Sequence, residues 1–486
     1  MDLAGRPVPT TFEIVEGLAL RHPDRLAVAQ GARQWSYRDL HQGLLRFSGQ
    51  LHRLGVRRGQ RVAIGSPGLY LELLLLIACE SLGAVTTSFL TRVDPDARVL
   101  FGLVDWVLAD APQDCPESAR FQLLDQAFAD EAMAIDPGAV LPPRVALAWH
   151  EPQRISRTSG SSGHSKFMLL SRQAQEYWVR IGAENGGYRA DSRLLVAGPF
   201  VINACFARAS ACLRAGAAVL DAGAAARPGA SITHLLALPL RLDELLAQLP
   251  PGQVWPNPVD VGTVGGFLSP ELRQRAQRVF HGRIVSRYGA NELGGVCDDL
   301  DATGTGWVSA GVDVRILDAQ GHELPEGEVG VIAVRTPSMV AGYLNEPEAT
   351  ESAFRDGWFV SGDLGALQGP RLLRLVGRHD DLINLGGVKV PAVQLESSIR
   401  QHDGVRDCAV LAVNIASGSV PLGIALVLEA GVAVSALSGQ LEQALSVYGK
   451  AQARIIVLPE LPRMPTGKLD RLALHRAFAE RVPSQA

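Results

Sequence analysis

The run Thr158-Ser159-Gly160-Ser161-Ser162-Gly163-His164-Ser165-Lys166 gathers glycines, small hydroxyls and a lysine in one short segment. Glycine lets the backbone turn tightly and bring N–H groups close to an anion, hydroxyls donate, and lysine adds positive charge. This is chemistry suited to phosphate, and the same composition also makes a plain polar turn. A Walker A loop is excluded, because Lys166 follows Ser165 and precedes Phe167 where that loop needs Gly-Lys-Ser/Thr. Farther on, Gly265-Gly266-Phe267 offers close backbone approach to a flat ligand. In Tyr288-Gly289-Ala290-Asn291-Glu292 a ring face could stack and a carboxylate could hold Mg²⁺ directly or through water. Gly357-Trp358-Phe359-Val360-Ser361-Gly362-Asp363 puts a carboxylate after glycine at an expected strand end, where it can accept both hydroxyls of a ribose. Each of these read alone is also an ordinary turn. Gly377 to Gly387 reads alone as a charged linker, and Lys468, in a Pro/Gly-bounded loop, as a surface charge.

These residues need a scaffold, and the chain supplies about three units' worth at ~150 residues per domain. Hydrophobic residues at 47% and charged residues at 20% fit a globular protein with a large core. Periodicity predicts helices over Thr11 to Arg21, Tyr37 to Leu54 and Leu69 to Leu82, and a buried strand over Arg61 to Gly65. Leu194 to Gly198, Ala217 to Asp221 and Ile232 to Leu238 are short apolar runs separated by helical patterns, which favours βαβ connections and a largely parallel sheet. Gly-rich turns between 301 and 345 predict a small antiparallel β subdomain. From Leu382 onward, strands near Ala409 to Val413, Ile424 to Leu428 and Arg454 to Leu458, with a helix from Ser435 to Tyr448, predict a small α+β domain.

Composition also narrows the partners. A net charge of −4 and a pI near 6.3 give nucleic acid or an anionic membrane little to bind. The arginine-rich segment Arg53 to Arg61 reads as solvated helix ends. Six scattered cysteines without a CxxC pair predict reduced thiols rather than a disulfide framework or zinc site. The N-terminus carries no apolar run for a signal peptide, and Leu69 to Val85 is short and holds Glu72 and Glu80. No membrane span and a cytoplasmic location are therefore expected.

Taken in order, the six segments resemble the adenylate-forming superfamily of acyl-CoA synthetases, peptide-synthetase adenylation domains and firefly-type luciferases. The resemblance runs from about residue 12 to 475 and includes Pro23-Asp24 to Tyr37 and Gly327-Glu328 to Tyr343. It implies an α/β protein with a large N-terminal AMP-binding domain (1–379), carrying the small β subdomain, and a small mobile C-terminal α+β domain (380–486). It also implies ATP-dependent activation of a small carboxylic acid to an acyl-adenylate and pyrophosphate. The acyl group then passes to a thiol, of CoA or of phosphopantetheine on a separate carrier protein.

By motif position, Thr158, Ser159, Gly160, Ser161, Ser162, Gly163 and Lys166 would wrap the β- and γ-phosphates. Gly266, Phe267, Tyr288 and Gly289 would line the adenine pocket. Asn291 stands near the α-phosphate where threonine is usual, and Glu292 would help hold Mg²⁺. Asp363 would bind ribose, Arg378 ribose or phosphate, and Lys468 would bridge acyl carboxylate and α-phosphate. Asp380 matches the hinge, and Gly386 and Gly387 the loop at the thiol tunnel. The chain departs from the pattern at Ser165 (usually proline), at Phe167 (usually glycine) and at Val201-Ile202-Asn203 after Pro199-Phe200. Asn203 resembles the neutral polar residue of some aryl-acid ligases, which points to an aryl or small organic acid. Two other classes make different predictions. A catalytically silent ligand-binding protein would lack turnover, and a P-loop ATPase would release ADP and phosphate.

Overall fold

A computed structural model describes residues 8–66, 68–138, 142, 144–158, 165–227, 231–250, 252–266, 268–301, 303–378, 382–385, 388–412, 422–434, 437, 453–464 and 469–481. It divides into two compact units, Met1–Asp299 with Ser309–Val312 and Arg335–Phe359, and Leu300–Val308 with Asp313–Val334 and Val360–Ala486.

The first unit begins with the helix Thr11–Arg21, and the sequence shows why it starts there. Thr10 accepts from the Glu13 N–H while the Glu13 carboxylate accepts from the Thr10 N–H, closing a capping box. Ser36 and Asp39 do the same for Tyr37–Leu54, which ends on Gly55 in the left-handed region. Arg53, Arg57 and Arg58 are exposed near that end, and Arg57 donates to the His52 carbonyl at 2.6 Å. Leu69–Ser81 is apolar nearly all round, and Leu73 to Cys79 are all buried.

Two mainly parallel sheets share this unit. One runs in the order 281–286, 259–263, 234–237, 193–197, 218–220, 26–30, 33–36, and only the last pair is antiparallel. The other runs 120–123, 106–109, 61–65, 85–88, 152–157, 167–171, again antiparallel only at the final pair. The short apolar runs of the sequence are the inner strands, buried on both faces as parallel strands are.

A charged cluster sits inside this apolar body. Arg154 is 1% exposed. Its guanidinium donates to Thr86 Oγ1 at 3.3 Å, to Ser88 Oγ at 3.4 Å and to the Phe200 carbonyl at 2.8 Å, and lies 4.4 Å over the Phe206 ring. Glu72 and Glu80, on the apolar helix, are partly accessible yet surrounded by protein. Burial pushes both carboxyls up to about 7 against the opposing pull of Arg154, and burial brings Arg154 down to about 10.

In the second unit, strands lie in the order 305–308, 372–378, 358–367, 330–335, 313–317, with 372–378 antiparallel to both of its neighbours. The expected small β subdomain is therefore present, but its sheet draws on strands as far as Arg378, well past residue 345. Strands Val405–Ala412, Leu422–Leu428 and Ala453–Val457 form a separate three-stranded sheet. Its alternate residues feed two cores. Cys408, Val410, Ile424 and Leu426 face one, while Ala409, Leu411, Ala425 and Val427 join Leu474 and Phe478 in the other. Most of the predicted helix from Ser435 to Tyr448 lies outside the described residues.

Candidate active site

The phosphate-type loop grows from a β-hairpin. Pro152–Arg157 pairs with Phe167–Ser171, with Arg157 opposite Phe167, and the Thr158 N–H donates to the Lys166 carbonyl at 2.9 Å to close the neck. Ser159, Gly160, Ser161, Ser162 and Gly163 lie outside the described residues, so the structure speaks for the neck. Phe167 is 3% exposed and packs with Phe89 and Phe101. An apolar side chain at the first residue of a buried strand explains why this chain has Phe where glycine is usual.

Ser165, the other departure, is an anchor. Its Oγ donates to Asp96 Oδ2 at 2.5 Å. Asp96 in turn lies 3.5 Å from Arg157 Nη1, and Arg157 grips Asp94 with both terminal nitrogens. Burial works upward on the Asp94 carboxyl. The Arg157 guanidinium and the Leu90 and Asp96 N–H groups outweigh it and hold the carboxyl below its usual range. The loop root is thus fixed by a side-chain network that a proline at 165 could not make. Removing a hydrogen bond to a charged acceptor costs ~1.5 kcal/mol. Ser165→Ala is expected to raise KM about tenfold for the nucleotide that the resemblance assigns to this loop while kcat changes little, and an unchanged KM in initial-rate assays would contradict the anchor.

The Tyr288–Glu292 segment meets the same neck. Asn291 Nδ2 donates to the Arg157 carbonyl at 2.7 Å, so the residue in the usual threonine position ties its segment to the loop root. Glu292 is 7% exposed. Its Oε1 accepts from the Tyr343 hydroxyl at 2.7 Å, and the Lys166 ammonium sits 5.0 Å from the Tyr343 ring centroid. Burial first, then the Glu292 charge, push the Tyr343 hydroxyl well above its ordinary pKa, so it stays a donor. Lys166, Tyr343 and Glu292 thereby form one cluster.

Tyr288 to Ala290 form a strand paired with Gly294–Asp298, and a Cβ at Gly289 would come within 2.4 Å of the Gly294 carbonyl oxygen, so only glycine fits there. Gly265 follows the strand Val259–Thr263 at φ +80°, and a Cβ on Gly266 would meet Pro239 at 3.5 Å. Phe267 lies outside the described residues.

In the second unit, Asp363 stands in the middle of the strand Trp358–Leu367, not at a strand end as the sequence suggests. The strand continues through Gly362, and Asp363 is the first of its residues to pair with Leu372–Arg378, opposite Arg378. Arg378 Nη1 donates to Asp363 Oδ1 at 3.2 Å, and the Asp363 N–H donates to Ser361 Oγ at 3.1 Å. Two of the predicted nucleotide-binding side chains are therefore neighbours through register. Lys468, Asp380, Gly386 and Gly387 lie outside the described residues.

Asn203 is buried at 1%, and its Nδ2 donates to Gln175 Oε1 at 3.1 Å within a packed pair of helices. Among the described residues no group of three or more His, Cys, Asp or Glu side chains is placed to hold a metal, and no helix is long and apolar enough to cross a membrane. All six cysteines are free. Sequence reasoning missed Tyr343 as a site residue, and it missed Arg157, Asp94 and Asp96 altogether.

The AMP-binding enzyme family matches residues 15–344, and the AMP-binding enzyme C-terminal domain matches residues 394–468. The chain belongs to the AMP-binding enzyme family. This AMP-binding enzyme is similar to triostin synthetase I of Streptomyces triostinicus, at 28% identity over 98% of the chain and 95% of that protein. It is similar to feruloyl-CoA synthase of an Amycolatopsis species, at 28% identity over 80% of the chain and 83% of the relative. Its fold matches ATP-bound MatB of Rhodopseudomonas palustris with a TM-score of 0.81, at 23% identity over 97% of this chain and 99% of that one.

Proposed function

We propose that this AMP-binding enzyme is an AMP-forming acid–thiol ligase. The acid's carboxylate attacks the α-phosphate of ATP and pyrophosphate leaves. The acyl-adenylate then gives its acyl group to a thiol. The observation that carries this reading is the match of both family domains along one chain, with the Lys166, Tyr343 and Glu292 cluster standing on the matched motifs.

The residue roles follow the motifs. Thr158 to Gly163 and Lys166 hold the β- and γ-phosphates. Gly266, Phe267, Tyr288 and Gly289 bound the adenine, Asp363 takes the ribose hydroxyls, and Arg378 ribose or phosphate. Asn291 stands by the α-phosphate. Glu292, whose Oε1 accepts from the Tyr343 hydroxyl, would supply a carboxylate to Mg²⁺, which would offset phosphate charge there. The acceptor is CoA, as the name of the feruloyl relative suggests, and a carrier-protein thiol is the other source of the same chemistry. That relative's name also points toward an aryl acid.

A pyrophosphate-release screen over aryl, short-chain, long-chain and amino acids, with and without CoA, tests the reading. Release of pyrophosphate and AMP that depends on one class of acid is expected; ADP and phosphate, or no turnover with any acid, would contradict it. The C-terminal domain is read as rotating about Asp380 between the half-reactions, withdrawing Lys468 and bringing the Gly386-Gly387 loop to the thiol. Asp380→Pro, which fixes φ, is expected to retain one half-reaction and lose the other. Pyrophosphate exchange and thioester release, assayed separately, would both survive if no hinge lies there.

A further inference from the structure

The chain on either side of the Lys468 loop forms a closed foot. Leu461 and Leu469 pack into one core with Ala409, Leu411, Leu474 and Phe478. Arg463 and Leu469 pair as an antiparallel bridge, and the Asp470 N–H donates to the Pro462 carbonyl at 2.9 Å. The bridge therefore stands one residue from Lys468 in the sequence. Asp470 Oδ1 also accepts from the Ala473 N–H at 2.9 Å, capping the helix Arg471–Arg481, so the chain passes from the bridge directly into a helix.

The strand Val405–Ala412 holds this foot. Asp407 Oδ2 accepts from Arg463 Nη2 at 2.7 Å. Asp407 Oδ1 accepts from Arg400 Nε at 3.2 Å and from the Cys408 N–H at 2.8 Å. Arg400 is itself set, since its Nη2 donates to the Cys408 carbonyl at 2.7 Å and lies 3.6 Å from Glu396 Oε2. Glu396 Oε1 in turn accepts from the Val410 N–H at 3.0 Å. The same strand meets the chain before and after the loop. Arg406 Nη2 donates to the Pro459 carbonyl at 2.8 Å, and Arg471 Nη1 donates to the Val410 carbonyl at 3.4 Å.

Stability is a poor reason for the Asp407–Arg463 pair. Its side chains are 26% and 29% exposed, and ion pairs so open to water add little to folding. Position is a better reason. Arg400 and the Cys408 N–H orient the Asp407 carboxylate independently of Arg463, so its second oxygen is a fixed point on a core strand. A guanidinium gripped there pins one arm of the loop. Reacting groups need such placement, because a displacement of ~1 Å can cost about 10² in rate.

We propose that Asp407 is a positioning residue for adenylate formation, fixing through Arg463 the loop that carries Lys468. The inference rests on the ligase reading and on the bridging role given to Lys468. It adds a residue that stands 56 positions from its partner in the sequence.

The test measures both half-reactions in Asp407→Asn, alone and combined with Lys468→Ala. Asp407→Asn is expected to lower kcat for pyrophosphate exchange about tenfold, while KM for ATP and thioester formation from a supplied acyl-adenylate stay within about twofold. A support needed only for folding would lower both half-reactions together. In the Lys468→Ala background the same substitution is expected to add nothing, since residues that act as a unit are not additive. Should Asp407→Asn not fold, Arg463→Met is expected to reproduce the defect, and Arg463→Lys, which keeps the cation, to restore most of the rate. Equal losses in both half-reactions, a loss that persists undiminished without Lys468, or no loss at all would overturn the inference and leave the ligase reading standing. If the wild type shows no exchange with any acid, the ligase reading fails. Tryptic cleavage after Lys468 then decides the anchor: about tenfold faster cutting in Asp407→Asn upholds it, and an unchanged rate overturns it.

Discussion

Lys468→Ala is expected to abolish adenylate formation while sparing transfer to thiol from a supplied acyl-adenylate. As the acid's oxygen attacks phosphorus, charge grows on the phosphoryl oxygens, so a cation bridging carboxylate and α-phosphate stabilises the transition state more than the bound substrates. Loss of one such donor costs ~3 kcal/mol, or a rate factor of ~10² to 10³. The effect belongs to the first half-reaction alone, because the second leaves the phosphate chemistry behind. Pyrophosphate exchange and thioester formation from synthetic adenylate separate the two, and equal damage to both would refute the role.

Arg154→Met is expected to destabilise the first unit by ~3–5 kcal/mol, the usual cost of removing one partner from a buried ion cluster. The substitution strips the cation from Glu72 and Glu80 and frees the Phe200 carbonyl, so the Pro199-Phe200 segment loses its tether as well. The loss depends on pH. Both carboxyls titrate near 7 in the folded protein, above the ordinary carboxylate value, so the folded state holds more protons than the unfolded one. Their contribution to stability is therefore fully present below the unfolded pKa and is lost as pH rises through about 7. Denaturant melts from pH 5 to 8 should show the Arg154→Met deficit growing with pH, and Glu80→Gln should flatten the wild-type slope. A deficit that does not vary with pH would contradict the coupling.

The elements that carry local signals were legible. The capping boxes at Thr10–Glu13 and Ser36–Asp39 mark helix starts that depend on neighbours three residues apart, and the buried strand Arg61–Gly65 is an apolar run of its own. Register was not legible. Asp363 reads as a turn residue because glycine precedes it, yet the strand Trp358–Leu367 continues through both residues and Asp363 pairs with Arg378 across the sheet. The Arg157–Asp94 pair spans 63 positions and the Tyr343–Glu292 bond 51, so no local pattern announces either. Ser165 and Phe167 looked like mere departures until Asp96 and the Phe89–Phe101 core supplied their reasons.

The central claim is that the acid's own oxygen attacks the α-phosphate. An acid labelled with ¹⁸O in its carboxylate, incubated with ATP, Mg²⁺ and CoA, tests this directly by mass spectrometry of the nucleotide product. Attack by carboxylate followed by thiol displacement leaves one ¹⁸O on the phosphate of AMP, and that label is the predicted result. Unlabelled AMP, or ADP as the product, would contradict it.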